Sequence, residues 1–103
     1  MKIPKRFKLM GQTIEIVYDS TISDMDGCAG LAKYRWNQIV LQPDTNGVKR
    51  PLSKIEQTFC HELVHWIFYM ASENKLRANE KLVDTIAGLL HQALSTMEHE
   101  DND

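Results

Sequence analysis

Residues 53–70 read Ser-Lys-Ile-Glu-Gln-Thr-Phe-Cys-His-Glu-Leu-Val-His-Trp-Ile-Phe-Tyr-Met. Ile55, Phe59, Leu63, Ile67 and Met70 recur at helical spacing, so one side of a helix is apolar and is expected to face a core. Ser53 and Glu56 have the spacing of a capping box, which places the expected start at Ser53. Ser72, Glu73 and Asn74 break the apolar pattern and place the end around residues 71–74.

On such a helix His61 and His65 lie about 40° apart around the axis and roughly 6 Å apart along it, so both imidazoles can reach one metal ion. Glu62 falls on the adjoining side, where its carboxylate can reach a water held by that metal. His-Glu-x-x-His mid-helix is the arrangement of zinc hydrolases, and zinc is the expected cofactor, one ion per chain. With four histidines in 103 residues, a chance match from ordinary residue usage is rare.

The bulk numbers limit what surrounds this helix. At 103 residues the chain is expected to be a single domain with one core. A net charge of −2 and a pI near 6.1 supply no field to attract nucleic acid or anionic lipid, and neither is an expected partner. Lys2, Lys5, Arg6 and Lys8 make residues 1–10 basic, and Glu98, Glu100, Asp101 and Asp103 make the end acidic; both read as solvated termini. The absence of a long apolar run or a secretion-signal core makes a cytoplasmic location the expectation, with Cys28 and Cys60 as free thiols.

Gln12 to Asp19 alternates Ile14, Ile16 and Tyr18 against Thr13, Glu15 and Val17, a strand entered through a turn at Gly11. Cys28 to Tyr34 and Gln38 to Leu41 are two further short strands joined tightly through Arg35, Trp36 and Asn37, giving a small antiparallel sheet of three or four strands. Pro43 to Pro51, with Asn46-Gly47, reads as a loop. A second helix is expected from near Lys75, with Leu82, Val83, Ile86, Leu90, Ala93, Leu94 and Met97 as its core-facing stripe. The fold class is therefore α+β, a sheet packed on two long helices.

A hydrolytic zinc takes three protein ligands and keeps a position for water. The candidates for the third are Cys28, Glu73, Glu80, Asp84, His91 and His99. If the second helix returns antiparallel, Glu80 comes level with His65, and Asp84 comes one turn later opposite His61. A ligating histidine commonly donates its other N–H to a carboxylate, the role that height gives Asp84.

His61-Glu62-x-x-His65 followed by Asn79-Glu80-x-x-x-Asp84 resembles the gluzincin metallopeptidases. The resemblance covers Ser53 to about His91 and implies that Glu80 is the third zinc ligand and that Asp84 supports His61. The gap of 14 residues between His65 and Glu80 is short for that group, and the size is similar to the minigluzincins and to short phage- or prophage-type relatives of the ImmA/IrrE metallopeptidases. In the minimal forms the resemblance implies an edge strand that pairs with an extended peptide or protein substrate. Residues 28–34, with Ala32, Lys33 and Tyr34 as substrate-binding positions, would be that strand, or residues 38–41 instead.

The implied activity is peptide-bond hydrolysis with Glu62 as general base and then acid. Tyr34, Tyr69 and His91 are candidates by residue type for stabilising the oxyanion, although Tyr69 also fits the core. His91 also reads as a plain hydrogen-bonded histidine, and Cys60 as a small core residue. Gly27-Cys28 upstream of the motif bears a faint likeness to peptide deformylases, with Cys28 as third ligand; that reading leaves Asn79-Glu80-x-x-x-Asp84 unexplained. A zinc-stabilised binding or regulatory domain, or a latent form blocked by the tail around His99, is the non-enzymatic alternative.

Overall fold

The computed structural model describes residues 1–22 and 29–100. Among them the chain forms β1 (Arg6–Leu9), β2 (Gln12–Tyr18), β3 (Gly30–Lys33), β4 (Gln38–Leu41), β5 (Asp44–Thr45), β6 (Val48–Lys49), α1 (Leu52–Met70), α2 (Asn74–Arg77) and α3 (Glu80–Thr96). The α+β class is as expected. The sheet is not all antiparallel: its order is β1-β2-β4-β3, and β2 and β4 run parallel. Alternation tells which side chains point inward but not which strands are neighbours. Here the local hairpin is β3–β4, closed by a 3-10 turn over Tyr34–Trp36 with Asn37 left-handed at φ 52°.

The basic N-terminal segment is not simply solvated. Arg6–Leu9 pairs antiparallel with β2 through a two-residue turn at Met10 and Gly11, whose φ values of 48° and 79° suit a twisted hairpin. Phe7 and Leu9 pack against the core while Arg6 and Lys8 face water, and Phe7 meets Phe59 edge-on at 6.1 Å. The positive charge is thus the outer face of a strand. Residues 43–51 likewise hold a small hairpin, β5–β6, turning at Asn46 and Gly47.

Helix α1 starts at Leu52 with Pro51 as its N-cap, and the expected capping box does not form. Glu56 is instead turned inward, with Oε1 2.8 Å from His91 Nε2 of α3 and 3.9 Å from the Met1 amine. The helix ends as the sequence suggests. Ser72 adopts a left-handed φ of 59°, and the Ser72 and Glu73 N–H groups bond to the Tyr69 and Phe68 carbonyls, a Schellman termination.

The core lies between α1, α3 and the inner sheet face, from Ile14, Ile39 and Leu41 to Ile55, Phe59, Val64, Trp66, Val83 and Ala87. Trp66 is wholly buried and donates its indole N–H to the Gln38 carbonyl at 3.1 Å, tying α1 to β4. Ile67, expected in the apolar stripe, is exposed, as are Ala93 of α3 and Met97 just past its end; the packed face of α3 runs through Val83, Ile86, Ala87 and Leu90.

The expected single second helix is broken. One turn, α2, is followed by Ala78 and Asn79, and the Asn79 side chain accepts the Leu82 N–H at 3.1 Å to begin α3 afresh. Glu80 is therefore the first residue of its helix and not the sixth. No described helix is long and apolar enough to cross a membrane.

Candidate metal centre

His61 and His65 project from mid-α1, and Glu80 faces them from the start of α3. His61 Nε2 lies 3.2 Å from His65 Nε2. The two Glu80 oxygens complete the triangle, Oε2 at 3.1 Å from His61 Nε2 and Oε1 at 3.1 Å from His65 Nε2. A tetrahedral ion with bonds of about 2.0–2.1 Å holds its ligand atoms roughly 3.3–3.4 Å apart, so this spacing suits zinc, as does the mixed imidazole and carboxylate donor set. Among the described residues these three form the one group of this kind.

Asp84 occupies the expected supporting position. Its Oδ1 lies 2.6 Å from His61 Nδ1; the imidazole donates from Nδ1 and keeps the Nε2 lone pair free for a metal. Burial holds His65 below its ordinary pKa, helped by the nearby charges of His61 and Arg77 and opposed by Glu80. That favours the neutral imidazole a metal requires.

Glu62 is buried between α1 and β3. Burial pushes its carboxyl up to about 7, and Glu80 pushes the same way, while His61 and a hydrogen bond from the Ala32 backbone N–H oppose the shift. The Gln42 N–H bonds to the Ala29 carbonyl, and the register pairs Gly30 with Leu41 and Ala32 with Ile39. By antiparallel alternation the N–H and C=O groups of Gly30 and Ala32 then point away from β4. The first of the expected edge strands is thus the true edge, whereas residues 38–41 lie inside the sheet. Gly30 permits the close approach: a Cβ there would sit 2.5 Å from Thr58 Cγ2 and 3.2 Å from the Glu62 side chain.

No family model, curated protein or solved structure matches this chain. The reading of the site therefore rests on its own geometry.

The structure separates the remaining candidates. His91 bonds to Glu56 within the opposite part of the α1–α3 interface, Glu73 is exposed before α2, and His99 is exposed after α3; none joins the triangle. Cys28 lies outside the described residues. Cys60 is buried, free and close to Met1, and burial pushes its thiol up to about 11, so it is an inert core group.

Ala32 and Lys33 are on the edge strand, and Tyr34 opens the turn after it. Tyr69, expected in the core, is instead partly exposed and stacks on Tyr34 with centroids 4.2 Å apart and planes at 14°. The Arg77 guanidinium caps both rings at 5.0 and 5.4 Å. Burial raises the Tyr34 phenol, as do the charges of Glu62 and Glu80, and Arg77 opposes this as donor and charge. The sequence reading missed Arg77. Its spacing of three residues before Glu80 was the available signal, obscured by the assumption of an unbroken helix.

Proposed function

We propose that this chain is a zinc-dependent peptidase of gluzincin type, with His61, His65 and Glu80 as metal ligands and Glu62 as general base and acid. The supporting observation is that the His61 and His65 Nε2 atoms stand 3.2 Å apart, each 3.1 Å from one of the two Glu80 carboxylate oxygens, beside a buried carboxylate hydrogen-bonded to the sheet edge. Zinc, when bound, supplies a Lewis acid that acidifies water and polarises a carbonyl.

The chain's own groups do the rest. Asp84 fixes the His61 tautomer through Nδ1. The Ala32 N–H orients Glu62, whose carboxylate takes the proton of the attacking water and returns it to the leaving amine. The outward C=O of Ala32 and the N–H and C=O of Gly30 offer an extended peptide its backbone partners. Tyr34 supplies the hydroxyl donor for the oxyanion: Arg77 donates towards the phenol oxygen, which leaves the phenol hydrogen free to donate to substrate. His91 is held elsewhere by Glu56.

The test is cleavage of a mixed peptide library by the zinc-loaded protein, read by mass spectrometry, with Glu62→Gln as control. The expected result is cleavage by the wild type and none by the variant, which still binds one equivalent of zinc. Loss of zinc in Glu62→Gln would make Glu62 a ligand and defeat the mechanism. Full zinc binding with no turnover in either protein would favour a zinc-stabilised binding domain.

A further inference from the structure

Beside His61 a cavity of about 330 Å³ is lined by Gly30 at the start of β3, by Lys54 and Thr58 of α1, and by Arg50. Arg50 is held in place: Nη1 donates to the Gln42 carbonyl at 2.7 Å and Nη2 to Thr58 Oγ1 at 3.1 Å. Two donors of five are thereby used, and the rest are available. Among the described residues neither Arg50 nor Lys54 is ion-paired. The carboxylates that share the cavity have other partners, Asp84 on His61 and Glu62 on the Ala32 N–H.

Distance along α1 converts these positions into substrate positions. Thr58, which carries the Arg50 guanidinium, precedes His61 by one turn, about 4.5 Å; Lys54 precedes it by about 10 Å. An extended peptide advances roughly 3.3 Å per residue. A group reaching Arg50 therefore belongs to a residue one or two removed from the bond at the metal, and Lys54 lies about three removed.

We propose that this cavity is a specificity pocket for a carboxylate, borne by the substrate peptide within about two residues of the scissile bond. It rests on the peptidase reading and assigns that reading a substrate class. The carboxylate comes from an Asp or Glu side chain or from the peptide's own C-terminus. A singly charged group suits the pocket better than a phosphate dianion, because Asp84 and Glu62 line the same space.

Binding, measured without turnover, tests it. Fluorescent hexapeptides identical except for Glu, Gln or Lys at one central position are titrated against zinc-loaded Glu62→Gln protein, followed by a shorter series ending in a free acid or an amide. The expected result is roughly tenfold tighter binding of the Glu peptide than of the Gln peptide, with Lys weakest. Lys54→Gln and Arg50→Gln each reduce that preference, and added salt weakens it. Arg50 also ties Gln42, just after β4, to α1, so Lys54, which is exposed, provides the variant that does not disturb folding. Preference confined to the free-acid series identifies the C-terminal source. Equal affinity within both series, Glu against Gln and free acid against amide, no binding in either, or a preference unchanged in both variants overturns the pocket. Failure of the peptidase reading would show separately, as absence of cleavage by the wild type.

Discussion

At Glu62, stability and chemistry oppose each other. Its carboxyl is pushed from the ordinary 4.5 up to about 7 by burial, so the metal-free folded state binds this proton more tightly than the unfolded state does. Stability then falls as pH rises from about 4.5 to 7, and the loss is complete above 7. Metal-free Glu62→Gln should be more stable than the wild type at pH 8, by up to about 3 kcal/mol, with no difference near pH 4. Urea denaturation at the two pH values measures this, and an equal difference at both would contradict it. The identity of His61, Glu62 and His65 as a set was legible because helical spacing is local. The burial that tunes Glu62 was not, since it is imposed by Gly30 and Ala32 on a strand 30 residues away.

At the scale of the element, the break between α2 and α3 decides where Glu80, the proposed third ligand, is placed. Asn79 accepts the Leu82 N–H and thereby sets Glu80 on the first turn of α3, facing His61 and His65. Asn79→Ala should cost about 1 kcal/mol of stability, and it should also weaken zinc binding, whereas Asn79→Asp keeps both. Thermal melts with a competitive zinc titration measure the two effects; a stability loss with unchanged zinc affinity would mean that the cap has no part in placing Glu80. Glu80 and Asp84 face the two histidines although α3 starts later than the periodicity suggests, because their mutual spacing of one turn survives any choice of start. The same reasoning failed for α1, where Ser53 and Glu56 matched a capping box but Glu56 found His91 in the interior. A local motif yields when a buried partner competes for the same carboxylate.

For the whole molecule, a metal held by the proposed ligands His61, His65 and Glu80 would staple α1 to α3 across one interface. Zinc at a hundred times its dissociation constant contributes about 2.7 kcal/mol, and in a domain of this size each kcal/mol moves Tm by roughly 4–8 °C. Chelation of the loaded protein should therefore lower Tm by about 10 °C or more, reversibly. Glu80→Ala should abolish most of that zinc-dependent difference. A melt insensitive to both zinc and chelator would remove the metal centre from the fold's energetics.

The sequence by itself determined the α+β class, the α1 helix with its two histidines and intervening glutamate, the β4 boundaries and the Glu80–Asp84 pair, because each depends on periodicity or spacing within one segment. Only the tertiary structure decided that Arg6–Leu9 is a strand, that β2 and β4 are parallel, that β3 is the sheet edge over Glu62, and that Tyr34, Tyr69 and Arg77 gather into one cluster. These depend on which segments meet. That choice is made by the shape and burial of the common core, which no single stretch of sequence encodes.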